Sequence, residues 1–73
     1  MTNDNFWINM ETYIPKIYWE DLMYMGETDG ISLYKHYDTR NYINVDYNGH
    51  FYKYHNDKYI RIDKDTAIYN LSH

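Results

Sequence analysis

The sequence has no cysteine, one proline and only three glycines among its 73 residues. Without cysteine the chain can form neither a disulfide nor a thiolate metal site, and this composition fits a reducing compartment. A domain of this size buries only about 60 % of the surface that its unfolded chain exposes. Its stability must therefore come from dense aromatic packing or from association with a partner.

Long apolar runs are also missing. No stretch approaches the roughly 20 apolar residues that a membrane-spanning helix requires. The first residues, Met-Thr-Asn-Asp-Asn, contain neither a basic segment nor an apolar run of the secretory-signal type. We therefore expect one small cytoplasmic domain that covers residues 1–73 and has no contact with a membrane.

Tyrosine is abundant, with 11 residues in the chain. Each tyrosine combines a large apolar ring with a hydroxyl that needs water or a hydrogen-bond partner. A domain this small cannot bury all of them, and exposed tyrosines are typical of recognition surfaces. AT-rich codons explain part of the excess, but lysine, whose codons are equally AT-rich, is less than half as frequent as tyrosine.

The net charge of −4 is unevenly distributed. Residues 1–29 contain six acidic residues and one lysine, whereas residues 30–73 contain five acidic and six basic residues and all four histidines. An acidic segment beside a nearly neutral one argues against general nucleic-acid binding by the whole molecule, which requires positive potential.

The amino-terminal third has helical periodicity. Phe6, Met10 and Tyr13 recur at helical spacing and predict a first helix over residues 5–14, with an edge strand as the alternative. Pro15 interrupts this pattern and suits the first turn of a second helix, predicted over Pro15–Met25.

This second helix would be apolar on nearly every side, with only Glu20 and Asp21 interrupting the apolar surface. Its apolar residues are Ile17, Tyr18, Trp19, Leu22, Met23, Tyr24 and Met25. A short helix of this kind is either buried by its neighbours or covered by another molecule. The sequence leaves both alternatives open.

From Ile31 onward the periodicity changes to two, which indicates strands. Alternating residues predict strands over 31–37, 42–47 and 50–55, a further strand that contains Ile60 and Ile62, and a last short strand over 66–71. The fold class predicted is therefore α+β: an antiparallel β-meander of about four strands, with one or two amino-terminal helices on one face.

Asn48-Gly49 is a strong signal for a two-residue hairpin turn, which would pair Val45 with Tyr52. The core face of the hairpin would then carry Ile43, Val45, Tyr47, His50, Tyr52 and Tyr54. The opposite face would carry Tyr42, Asn44, Asp46, Phe51, Lys53 and His55. A three-residue turn at Asn56–Lys58 would place Ile60 and Ile62 on the core face.

No pattern of catalytic or metal-binding residues stands out. His50 and His55 would point to opposite faces of one strand, so no metal or cofactor site is predicted. A ribonuclease that used His50, Tyr52 and Arg61 as acid–base groups is conceivable, but the negative net charge opposes phosphate binding. We therefore expect a protein without enzymatic activity.

The first functional hypothesis is a protein-binding module. The composition is similar to that of small accessory proteins of phages and mobile elements, which implies an inhibitor or adaptor that occludes a host protein, with acidic mimicry of nucleic acid as one mechanism. Self-association into a homodimer is a further way to cover the second helix. The partner-binding residues predicted are Trp19, Met23 and Tyr24 as anchors, with Glu20, Asp21, Glu27 and Asp29 as the acidic groups around them.

The alternative hypothesis is a small domain that binds single-stranded nucleic acid on an exposed sheet face. Aromatic side chains on such a face can stack with bases, and neighbouring cations can contact phosphates. The residues predicted for this face are Tyr42, Phe51, Lys53, His55 and Arg40.

Overall fold

The computed structural model describes the backbone of residues 5–73 and the side chains from Trp7 onward. The chain forms helix α1 (Asn5–Tyr13), a 3₁₀ helix (Lys16–Asp21), strands β1 (Leu22–Thr28), β2 (Ile31–His36), β3 (Tyr42–Asp46), β4 (Phe51–His55) and β5 (Lys58–Ile62), and helix α2 (Lys64–Ser72). The five strands form one antiparallel sheet in chain order. The α+β class and the meander are therefore confirmed, with five strands rather than about four. In residues 5–73 no helix has the length and apolar character needed to cross a membrane.

Helix α1 is the first predicted helix. Its side chains Asn9 and Met10 are buried against the sheet, and the side chain of Phe6 lies outside the described part of the chain. The last helical hydrogen bond runs from the Ile14 amide to the Met10 carbonyl at 3.0 Å. Pro15 follows with an extended ψ of 140°, so the helix ends where proline was expected to end it.

The predicted second helix over Pro15–Met25 is wrong. Residues 16–21 form a single short 3₁₀ helix, and Leu22 begins an edge strand that pairs with β2. A short apolar run has no clear periodicity, and the ladder with β2 decides its conformation. Gly26, just beyond the predicted helix, lies within this strand and has a φ of +123° next to a break in register between Tyr24 and Gly26.

The predicted register of the β3–β4 hairpin is wrong by one residue. Val45 lies opposite Phe51, and the Asp46 amide donates to the His50 carbonyl across a loop of three residues, 47–49. A shift of one residue moves every side chain of a strand to the other face. Phe51 is therefore in the core, 2 % exposed, while Tyr52 and Tyr54 leave the predicted core face.

The β3–β4 loop is one residue longer than predicted, and the next turn is one residue shorter than predicted. Asn56 and Asp57 both have positive φ, and Tyr54 lies opposite Tyr59. This is the backbone of a two-residue hairpin turn, which asparagine and aspartate tolerate. The two register errors cancel for β5, so Ile62 lies opposite Phe51 and remains on the core side.

The predicted last strand over 66–71 is wrong, because Lys64–Ser72 form helix α2. Asp63 caps it, and its carboxylate accepts the Thr66 amide at 3.3 Å. Ala67 and Leu71, four residues apart, bury one side of the helix against β3 and β4.

Both helices lie on the same face of the sheet. The buried cluster between the two layers consists of Met10, Ile14, Leu22, Tyr34, Ile43, Val45, Phe51, Ala67 and Leu71. The opposite face of the sheet has no described helix over it.

Candidate binding cleft between β3 and β4

Strands β3 and β4 are paired over only part of their length. Their ladder contains two pairs, Asn44 with Tyr52 and Val45 with Phe51, whereas β2–β3 and β4–β5 each contain five. Beyond Asn44 and Tyr52 the two strands are not paired, so the β4–β5 hairpin leaves the body of the sheet there.

An open cleft of about 570 Å³ occupies this gap. The cleft is lined by β2, by β3 and the loop before it, by the β4–β5 hairpin and by α2. The lining residues are Leu33, Arg40, Asn41, Tyr42, Asn44, Lys53, Tyr54, Tyr59 and Asn70. The volume lies within the range of small-ligand sites in proteins.

Three tyrosines form the aromatic part of the cleft. Tyr42 is 43 % exposed and Tyr54 57 % exposed, and the ring centroids of Tyr54 and Tyr59 are 4.9 Å apart. The Tyr54 hydroxyl donates to Asp57 Oδ1 at 3.1 Å, and this hydrogen bond to a carboxylate raises the pKa of Tyr54. The Tyr54 side chain is thus held by Asp57 and remains more than half exposed, so that part of its ring can contact a ligand.

Cations accompany the rings. Arg40 and Lys53 line the cleft, and Lys35 Nζ lies 5.8 Å from the centroid of the Tyr42 ring. None of the nine described residues in the lining is acidic. The cleft is therefore locally cationic although the whole chain is acidic.

Amide groups complete the lining. Asn44 is 2 % exposed and donates through Nδ2 to the Tyr52 carbonyl at 3.2 Å, at the pair where the ladder ends. Its Oδ1 has no hydrogen-bond partner among the described residues. The Asn41 side chain donates to the Asn70 carbonyl at 2.9 Å and so connects the loop before β3 to α2.

The structure brings together three of the five residues predicted for the nucleic-acid face. Tyr42, Lys53 and Arg40 line the cleft, whereas Phe51 belongs to the core and His55 is exposed outside the lining. The corrected register adds Tyr54, which the sequence placed on the core face, and Tyr59, which the sequence assigned to no face. The signal that was available is Asn56-Asp57, since both residues tolerate the positive φ of a two-residue turn.

The anchors predicted for protein binding do not share one surface. Trp19 is half-buried, and its Nε1 donates to the Ile14 carbonyl at 2.8 Å. Tyr24 packs between the helices and the sheet, with its ring centroid 5.8 Å from that of Tyr34. Met23 immediately precedes Tyr24 in β1, so its side chain points to the opposite face.

The acidic residues predicted for partner binding are distributed along the 3₁₀ helix and the β1–β2 hairpin, not along one face of a helix. Glu20, Glu27 and Asp29 are exposed, and Glu27 accepts the Tyr47 hydroxyl at 3.2 Å. Asp21 Oδ2 lies 4.0 Å from Nε2 of the buried His36. The acidic charge therefore lies at the β1 end of the sheet, and the cleft lies toward the β5 end.

The Asp46 carboxylate accepts three hydrogen bonds at the β3–β4 turn. It accepts the amides of Asn48 and His50 at 2.9 Å each and the Tyr52 hydroxyl at 2.8 Å. Partial burial opposes ionisation, but these hydrogen bonds prevail and lower the pKa of Asp46. The bond to Asp46 and partial burial raise the pKa of Tyr52.

Tyr52 lies opposite Arg61, and His50 and Arg61 line a shallow cavity of about 380 Å³. The three residues that the ribonuclease hypothesis named are thus neighbours at one end of β4. Within residues 5–73 no group of three His, Asp or Glu side chains is arranged to hold a metal ion.

Comparison with known proteins adds no relative: no family model, curated protein or solved structure matches the chain.

Proposed function

We propose that this protein is a non-enzymatic binding module that holds a short segment of single-stranded nucleic acid in the cleft between β3 and the β4–β5 hairpin. The observation that carries the proposal is the convergence of three tyrosine rings, two cations and three amide side chains, of which Asn44 is buried, in one open cleft without a carboxylate in its lining.

The rings supply most of the binding free energy in this proposal. Tyr42 and Tyr54 expose about half of their surface on the two sides of the cleft. Stacking of a base on an aromatic ring contributes about 1–3 kcal/mol and tolerates any base. A duplex cannot enter a cleft between two strands, so unpaired bases are the species that fits.

The cations supply the contacts to phosphate. These cations are Arg40 and Lys53, which line the cleft; Lys35, beside the Tyr42 ring, is outside the lining and is not counted as a phosphate contact. The net charge of −4 lowers the affinity for a polyanion, but the exposed carboxylates Glu20, Glu27 and Asp29 belong to the β1 end of the sheet. We therefore expect weak to moderate affinity that salt reduces further.

The test is fluorescence anisotropy with labelled single-stranded and double-stranded oligonucleotides at low salt. Tyr54→Ala should weaken binding of the single strand about tenfold, because one stacking contact is lost. Tyr69→Ala is the matched control, since Tyr69 is an exposed tyrosine on α2 that stacks on His73 outside the cleft. Equal affinity of both variants, or preference for the duplex, would refute the proposal.

Protein binding by the acidic side is the second candidate. It is supported by the exposed carboxylates around β1 together with Ile17, 78 % exposed, and Met25 on the same edge of the fold. In this case the protein is an inhibitor or adaptor that occludes a host protein with a basic surface. Capture of that host protein by the native chain and its loss with Glu20→Lys/Glu27→Lys would favour this candidate, provided that Tyr54→Ala retains it.

A further inference from the structure

Strand β5 is the last strand of the sheet, and its outer edge has no described neighbour. It pairs with β4 at all five of its residues and contains no bulge. Ile60 is 39 % exposed on the side of the sheet that carries the helices. A regular edge strand with an exposed apolar residue at its centre is able to accept another strand.

The turn fixes which backbone groups of β5 point outward. In a two-residue hairpin the residues that flank the loop, here His55 and Lys58, form a hydrogen-bonded pair. Lys58, Ile60 and Ile62 then direct their amides and carbonyls toward β4. Tyr59 and Arg61 direct theirs outward, where an added strand would bind them.

We propose that a second copy of this chain docks along the outer edge of β5, antiparallel, with the two-fold axis at Ile60. Tyr59 of each copy then lies opposite Arg61 of the other, and both pairs use outward-pointing amides and carbonyls. Between these two pairs, Ile60 of one copy lies opposite Ile60 of the other in a non-hydrogen-bonded pair. The result is a symmetric dimer with a continuous ten-stranded sheet.

Side-chain charge selects this register. With the axis at Ile60, Arg61 meets an aromatic ring, a favourable cation–π arrangement, and Lys58 meets Ile62. An axis at Arg61 would place two guanidinium groups opposite each other, and like charges in that position are destabilising. An axis at Tyr59 would extend the pairing into the turn at Asn56-Asp57, where φ is positive. The axis at Ile60 pairs all five strand residues.

The absence of cysteine permits a direct test by crosslinking. In a non-hydrogen-bonded antiparallel pair the two Cα atoms are about 4.5 Å apart, which is within the range of a disulfide. Ile60→Cys should therefore give a covalent dimer under mild oxidation. Tyr37→Cys is the matched control, because Tyr37 is exposed after β2, away from this edge. Efficient dimer formation by the control, or none by Ile60→Cys, would overturn the proposal.

Sedimentation equilibrium of the native chain provides a second measurement that does not depend on cysteine. We expect the molar mass to double at high protein concentration and Ile60→Lys to remain monomeric, since it places two ammonium groups on the axis. Circular dichroism of Ile60→Lys should match that of the native chain, because Ile60 is exposed. A native chain that remains monomeric at millimolar concentration would also overturn the proposal.

Discussion

The ring of Tyr13, the last residue of α1, lies directly over Gly49 in the turn between β3 and β4. A Cβ atom at Gly49 would be 2.7 Å from Cε1 of Tyr13, closer than carbon atoms approach. The Tyr13 hydroxyl donates to the Tyr47 carbonyl at 2.8 Å in the same turn. The end of α1 therefore holds the β3–β4 loop in place, and only glycine leaves space for it.

We expect Gly49→Ala to destabilise the fold by about 2–4 kcal/mol. The left-handed φ of +85° contributes about 1–2 kcal/mol for a residue with a Cβ, and displacement of the Tyr13 ring contributes about 1–3 kcal/mol. Urea denaturation measures the difference.

Gly30→Ala is the matched control for this effect. Gly30 has nearly the same φ, +80°, but nothing lies within 4 Å of its Cβ position. It should cost only the conformational part, about 1–2 kcal/mol. In a Tyr13→Ala background the cost of Gly49→Ala should fall to that of Gly30→Ala; an unchanged cost would mean that the ring contact contributes nothing.

Asp46 should be the most important carboxylate for the β3–β4 hairpin. Asp46→Ala removes the acceptor for the Asn48 and His50 amides and the Tyr52 hydroxyl, and we expect a loss of about 2–3 kcal/mol in unfolding free energy. Tyr52→Phe removes only the hydroxyl contact and should cost about 1 kcal/mol. If both variants lose the same unfolding free energy, the two amide hydrogen bonds to Asp46 contribute nothing to stability, contrary to this prediction.

Acid should destabilise the protein through Asp46 and Asp63. The pKa of Asp46 is lowered by its hydrogen bonds against partial burial, and that of Asp63 by the Thr66 hydroxyl and amide. A lowered pKa in the folded state means that stability is complete above the ordinary value of 3.8 and is lost as the pH falls through the folded pKa. Urea midpoints should therefore decline below about pH 4, and Asp46→Asn/Asp63→Asn should flatten that decline.

Asn9 connects α1 to the sheet through its buried amide. Its Nδ2 donates to Ser32 Oγ at 3.0 Å and to the Val45 carbonyl at 3.3 Å. Asn9→Ala leaves both acceptors without this donor and opens a small cavity, so we expect a loss of about 2–3 kcal/mol. Ser32→Ala retains the bond to Val45 and should cost less. A thermal melt that ranks the two variants the other way would contradict this role.

The alternation of apolar and polar residues from Ile31 to His55 was sufficient to predict the sheet and the α+β class. It was not sufficient for register, because the length of the β3–β4 loop depends on Asp46 and on the contact between Tyr13 and Gly49. The segment Leu22–Met25 has no decisive period, and its pairing with β2 made it a strand.

Helix α2 could have been recognised from the sequence. Asp63 precedes Thr66 at N-cap spacing, and Ala67 and Leu71 are four residues apart. The cleft could not, because no pattern in the sequence indicates that β3 and β4 separate after Asn44 and Tyr52. Tyr54 and Tyr59 therefore joined the candidate site only through the three-dimensional arrangement.

The salt dependence of oligonucleotide binding should reveal how many phosphates the cleft contacts. For a single strand, each neutralised phosphate contributes about −0.7 to the slope of log K against log salt concentration. Arg40 and Lys53, the two cations of the lining, therefore predict a slope of about −1.4. Lys53→Gln should reduce it to about −0.7, because one phosphate contact is removed. Lys16→Gln, an exposed lysine of the 3₁₀ helix, should leave it unchanged. If Lys53→Gln leaves the slope unchanged and Lys16→Gln reduces it, the nucleic acid binds elsewhere on the protein.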